Sequence, residues 1–244
     1  MTEGHPVDRR RSGLSRRLAL GLAAAAASPR LALGQRAIPV DVELALAADG
    51  SGSIDDDELR LQREGYGAAL ASPEVLSVIA RGINGAIAVV YTEWGGPQSQ
   101  HVIVDWTLIR DEAGARAFAA ELVARPRAAR GYNSISAAID FCVNLIETNA
   151  YRGLRRVIDV SGDGPNIGGR AVEAAREDAV AKGITVNALA ILRPGGQVPA
   201  RIGQPLPDYY RDAVIGGPSA FVEVADGNRS FADAVRRKIV TEIA

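Results

Sequence analysis

The chain has 244 residues, 47% of them hydrophobic and 5% aromatic, with a formal net charge of −1. That is enough apolar content for one good core, and abundant Ala and Gly suit close helix–sheet packing better than an aromatic-rich β-sandwich. The near-neutral balance provides no electrostatic footprint for nucleic acid.

Residues 1–34, "MTEGHPVDRRRSGLSRRLALGLAAAAASPRLALG", stand apart. A basic stretch precedes an apolar run from Leu18 to Ala27, and Ala32-Leu33-Gly34 offers small residues where an export signal is cut. The run is too short for a comfortable membrane span. Arg16-Arg17 directly before it resembles a twin-arginine export signal; an ordinary secretory signal or an uncleaved anchor are the alternatives. The expectation is an exported protein, periplasmic or secreted, with no stable membrane span once residues 1–34 are removed. Their removal takes away six Arg, one Glu and one Asp, leaving 22 basic and 27 acidic residues, a net charge of −5.

Residues 35–244 read as one α/β domain. "VDVELALAA" is a first strand, and "DDDELRLQREGYGAALAS" a helix opened by Asp55, Asp56 and Asp57, where negative charge is favourable. "GAIAVVYTEWG" and "HVIVDWTLI" form a hairpin across the turn-rich "GGPQSQ". "DEAGARAFAAELVA" and "SISAAIDFCVNLIETN" are helices; the single cysteine, Cys142, reads as a small buried core residue of the second. "RRVIDVSGDG" is a buried strand ending in a Gly-rich loop, "GRAVEAAREDAVAKG" a helix and "ITVNALAIL" a strand. Residues 193–208 form a long irregular insertion, a candidate specificity element. "SAFVEVA" is a short strand and "SFADAVRRKIVTEI" the closing helix. The alternation predicts a Rossmann-like, doubly wound, mostly parallel sheet with one antiparallel edge strand and helices on both faces. Ligands in such sheets collect at the carboxyl ends of the strands.

Three loops there concentrate hard oxygen donors: Asp49-Gly50-Ser51-Gly52-Ser53, "RGYNSIS" from Arg130 to Ser136, and Ser161-Gly162-Asp163-Gly164. His5 lies in the signal and His101 on the hairpin, so imidazole and thiolate are missing from the set. Such donors suit Mg²⁺, Mn²⁺ or Ca²⁺ rather than Zn²⁺. Glu93 and Trp94 end a strand on the same rim, with Asp105 and Trp106 across the hairpin; packing is the default role for both Trp residues and for Tyr209 and Tyr210.

Asp-x-Ser-x-Ser after a first strand resembles the metal-ion-dependent adhesion site of von Willebrand factor type A domains, and the resemblance covers essentially all of residues 35–244. It implies Asp49 at the first acidic position, Ser51 and Ser53 as hydroxyl ligands, and Asp163 at the last position. Where the family has Thr this chain reads Asn133-Ser134; Asn133 matches by its spacing to "SISAAI", and its side-chain oxygen can coordinate a cation. "YTEWGG", "VDWTLI", "NSISAAIDF", "VIDVSGDGPN", "YYRDAVIGGPSAFV" and "FADAVRRKIVTEI" resemble an exported bacterial branch of this fold without an assigned activity. The implied function is a non-enzymatic protein-interaction module in which a cation accepts an acidic residue of a partner protein. Two alternatives stand beside it. One is a Mg²⁺-dependent phosphoester hydrolase with Asp49 as nucleophile, although Ser51 stands where a second Asp is expected and the other loops lack Lys. The other is a structural module with a decayed metal site. A serine hydrolase built on Ser51 or Ser161 lacks a plausible His.

Overall fold

A computed structural model describes residue 1 and residues 37–192, 203–226 and 231–244; the expected export signal, from residue 2 on, and residues 193–202 of the insertion lie outside the described residues. The chain runs β1 (Ile38–Asp49), α1 (Asp56–Leu70), α2 (Pro73–Arg81), β2 (Ile87–Trp94), β3 (Gln100–Ile109), α3 (Glu112–Ala124) and α4 (Ile135–Thr148). It continues through β4 (Tyr151–Gly162), α5 (Val172–Ala181), β5 (Thr185–Ile191), α6 (Leu206–Tyr209), a π-helical turn (Tyr210–Val214), β6 (Val222–Ala225) and α7 (Phe231–Ile243). Among the described residues no helix is long and apolar enough to cross a membrane.

The sheet has six strands in the order β3-β2-β1-β4-β5-β6. Every neighbouring pair is parallel except β2–β3, so the hairpin supplies the expected antiparallel edge. β1 is buried almost throughout because helices cover both of its faces. Alternate side chains divide between two cores. Val42, Leu44, Leu46 and Ala48 pack with Tyr66, Leu70, Ile79, Phe118, Leu122 and Ile239, which places α1, α2, α3 and α7 on one face. Ala45 and Ala47 pack with Ile135, Ile139, Cys142, Ala175 and Tyr210, which places α4, α5 and the π-turn on the other. Cys142 is fully buried there, and burial pushes its thiol up to about 12, so it remains an inert core residue.

Three local features go beyond the sequence reading. Ser72 caps a separate helix, α2, its hydroxyl accepting from Val75 N, with Pro73 opening the first turn. β4 begins at Tyr151, because its solvent-exposed first half still pairs with Ile38–Glu43. The segment after the insertion becomes α6 and the π-turn, which present Tyr209 and Tyr210.

The acidic run opens α1 as expected. Asp55 is its N-cap: its Oδ1 accepts from Glu58 N at 2.8 Å, and its own N donates to Glu58 Oε2 at 2.9 Å. Asp55→Ala is therefore expected to cost about 1 kcal/mol of stability in urea denaturation. Cation binding in a calorimeter should match the parent; a loss of binding would make Asp55 part of the metal site.

β1 lies between β2, reached through helices on one face, and β4, reached through α4 on the other. This is the switch point of the sheet, where loops leaving adjacent strands part and open a crevice. Asp49 ends β1, and Asp163 directly follows β4.

Candidate metal centre

Asp49 is fully buried, and its Oδ1 accepts from Ser51 N at 2.8 Å, which turns the chain sharply off β1. The Ser51 and Ser53 hydroxyls lie 3.0 Å apart, and Ser53 Oγ donates to Asp163 Oδ1 at 3.0 Å. One continuous line of oxygens thus joins the loops after β1 and β4. Ser51 is buried whereas Ser53 is exposed, so the line runs from the interior to the surface. Asn133 adds the second loop, with its Nδ2 at 3.5 Å from Asp49 Oδ2. The neighbouring Ser134 hydroxyl is directed elsewhere, donating to Gly168 O at 2.9 Å. The chain therefore brings Asp49, Ser51, Ser53, Asn133 and Asp163 to one place, and Ser134 faces away from it.

The loops are packed backbone against backbone. Gly52 N donates to Gly131 O, Gly96 N to Arg130 O, and Ser134 N to Gly95 O, each at 2.9 Å. The third loop is fastened to the second: Ile167 N and Gly168 N donate to Asn133 O at 2.7 and 3.1 Å, and Asn166 Oδ1 accepts from Ser136 N at 3.1 Å. Tyr210 OH donates to Gly164 O at 3.0 Å, and Tyr209 OH accepts from Asn166 N at 3.2 Å. The two tyrosines therefore buttress the Asp163 loop. Gly162 is required by closeness: a Cβ there would lie 2.7 Å from Tyr210 Oη and 3.1 Å from Asp49 Oδ2.

The rim residues singled out in the sequence are structural. Trp94 is buried, its Nε1 donating to Ala47 O at 2.9 Å. Glu93 is buried and paired with Arg63 at 2.5 Å. Trp106 packs obliquely on Tyr151, ring centroids 6.3 Å apart. The imidazole of His101 meets Ser99 Oγ at 3.2 Å, on the hairpin, and the Ser161 hydroxyl is buried beside Tyr66. Neither serine that could act as a nucleophile therefore has His101 as its base.

Burial, and next the charge of Asp163, push the Asp49 carboxyl up to about 7, while hydrogen bonds from Ser51 pull it back. A cation between these carboxylates would relieve both causes. Among the described residues no three His, Cys, Asp or Glu side chains form a metal-ligating group. The donor set instead comprises two carboxylates, two hydroxyls and one amide, which fits a hard ion that keeps several waters. The amide now turns its NH₂ toward Asp49; half a turn presents its oxygen instead.

Two features of the surroundings escape a reading by loop position. Arg127 donates from Nη2 to the carbonyls of Gly50, Ser51 and Ile54 at 2.9, 2.8 and 2.6 Å. Asn166 links the second and third loops. The run "RPRAARG" carried the only signal for Arg127, as a basic cluster beside a ligand loop.

The family model described as "Protein of unknown function (DUF1194)" matches residues 39–244. The chain belongs to this family. No curated protein matches it. Among solved structures, the pilus adhesin SpaC from Lactobacillus rhamnosus GG superposes with a TM-score of 0.56 at 14% identity, covering 86% of this chain and 30% of that one. A von Willebrand factor type A protein from Catenulispora acidiphila gives 0.53 at 17% identity, covering 84% and 42%. Proximal thread matrix protein 1 from the mussel byssus, with a zinc-occupied MIDAS motif, gives 0.56 at 11% identity, covering 84% and 46%. The chain spans less than half the length of each of these proteins. The likeness establishes the fold: this family member has the von Willebrand factor type A architecture that its sequence resembles.

Proposed function

We propose that this chain is an exported, non-enzymatic protein-interaction module. Asp49, Ser51, Ser53, Asn133 and Asp163 hold a divalent cation, Mg²⁺ or else Mn²⁺ or Ca²⁺, to which a partner protein presents a carboxylate. The observation that carries this reading is the buried Asp49 carboxylate, joined through Ser51 and Ser53 to Asp163 at the switch point of the sheet. A bound cation supplies an open coordination position for an anionic oxygen. The residues provide the rest: Asp49 and Asp163 neutralise the charge, the hydroxyls add neutral donors, and exposed Ser53 marks the side open to a partner. An adhesin and a zinc-occupied motif among the structural neighbours support the reading, and the basic-apolar pattern of residues 1–34 supports export.

Asn133 favours a second reading, a structural module that needs no ion, because its NH₂ now faces Asp49. Calorimetric titration of the full chain with Mg²⁺, Mn²⁺ and Ca²⁺ separates the two. The first reading expects saturable binding that Asp163→Asn weakens at least about tenfold, since a carboxylate that directly ligates an ion contributes more than a supporting partner. With Mn²⁺ bound, added acetate should lower water-proton relaxation as a carboxylate displaces metal-bound water. No heat with any of the three ions supports the ion-free module.

A further inference from the structure

Arg127 lies between α3 and the second ligand loop, and its side chain is 19% exposed. Its Nη2 serves the carbonyls of Gly50, Ser51 and Ile54, the backbone that carries both serine donors. Its Nη1 pairs with Asp56 at 2.8 Å, in the first turn of α1. One planar group thus spans the whole turn from the end of β1 to the start of α1.

The mount of Arg127 is itself fixed. Arg63, buried in α1, donates to the carbonyls of Arg125 and Pro126, the latter at 3.1 Å, and pairs with Glu93. The other Glu93 oxygen accepts from Ala128 N at 3.3 Å. The acidic residue at the end of β2 therefore neutralises Arg63 and holds the segment that carries Arg127. Gly52 N, bonded to Gly131 O, closes the connection from the other side.

A guanidinium beside a cation site opposes an incoming cation by Coulomb repulsion. A surface pair with Asp56 alone adds little stability. What the arrangement does supply is geometry: the two N–H groups of Nη2 are shared among three carbonyls of a short Gly-rich turn while Nη1 holds Asp56, a two-pronged contact that the single nitrogen of a lysine on its flexible stem does not reproduce. We propose that Arg127 is a positioning residue that locks the Asp49–Ser53 turn to the second ligand loop and so holds the cation position preformed. This rests on the cation reading proposed above; the clamp itself can be tested without an ion.

Arg127→Lys keeps the charge and removes the fork. Arg170→Lys is the control, because Arg170 pairs with Asp140 and Asp178 on an exposed surface. Amide hydrogen exchange in chelator should show Gly52 and Ile54 exchanging at least about tenfold faster in Arg127→Lys, with β1 and β4 protected as in the parent. Mn²⁺ affinity by calorimetry should fall about 10–100-fold, the range for partners that orient metal ligands. Arg170→Lys should change neither. Unchanged exchange at Gly52 and Ile54 overturns the clamp, as does faster exchange throughout β1 and β4, which reports general unfolding. Faster local exchange with Mn²⁺ affinity within twofold of the parent overturns the positioning role. A parent that binds no Mn²⁺ overturns the cation reading, and with it that role, while the exchange result still decides whether the clamp exists.

Discussion

Lys238→Met should destabilise the domain by about 3–5 kcal/mol, the cost of removing one partner from a buried ion pair. Lys238 is 1% exposed on α7, with Nζ at 2.6 Å from Asp159 Oδ1 of β4 and in contact with Glu242 Oε1 one turn on. Asp159 and Glu242 are also buried, and Asn187 of β5 donates to Glu242 Oε1 at 3.0 Å. The buried hydroxyls of Tyr66 from α1 and Tyr91 from β2, with the ring of Phe221 5.3 Å from Nζ, complete the surroundings. Burial pulls the lysine down, but the charges of Asp159 and Glu242 outweigh it and hold the ammonium above its usual range. The charge of Lys238, and next its hydrogen bond, offset the burial of Asp159, and both disappear with the lysine. Urea denaturation of Lys238→Met should show a midpoint far below the parent's; an unchanged midpoint would falsify the assignment of this triad to the core.

The triad also sets a pH dependence. Two buried carboxylates share one ammonium, and burial first, then Asp159, pushes Glu242 up to about 7. Between the ordinary glutamate value and about 7, the folded chain retains a proton that the unfolded chain has released. This contribution to stability is complete below the unfolded value, declines as pH rises through that window, and is level above it. The change is on the order of 3 kcal/mol for a shift of this size. Glu242→Gln keeps an acceptor for Lys238 and Asn187, so its urea midpoints should vary less between pH 5 and pH 8 than the parent's.

Asp49→Asn should stabilise the domain in the absence of cation and abolish its stabilisation by cation. The amide preserves the shape and an acceptor for Ser51 N, and it removes a buried charge that Asp163 repels. In chelator at pH 8 the variant should therefore be more stable than the parent by a few kcal/mol, on the order expected from the raised carboxyl. With Mn²⁺ at about 100 times its dissociation constant, the parent should gain about 2.7 kcal/mol and the variant nothing. Thermal melts with EDTA and with Mn²⁺ measure both. A variant less stable in EDTA would mean that Asp49 serves the fold rather than an ion.

The positions of Asp49 and Asp163 could be read from the sequence for a local reason. Each follows an apolar strand, and in an alternating α/β chain the carboxyl ends of strands must share one edge. The choice of Asn133 over Ser134 rested on spacing to "SISAAI" alone; adjacent residues point in different directions, and the packing of the third loop is what draws Ser134 to Gly168 O. Helix α2 was legible in principle through Ser72-Pro73, yet the apolar pattern around it merges with α1. Lys238 and Glu242, four residues apart on an amphipathic helix, have the spacing of a solvent-exposed pair.

By itself, the sequence determined the succession of the six strands and of the five longer helices α1, α3, α4, α5 and α7, and the edge where Asp49 and Asp163 lie, because periodicity and turn chemistry are local properties. Only the tertiary structure decided that Lys238 is sealed against Asp159, that Glu93 neutralises Arg63 rather than facing a ligand, and that Arg127 grips the Asp49–Ser53 turn. Each of these joins groups distant in sequence, and their burial and partners arise only when the helices close on the sheet.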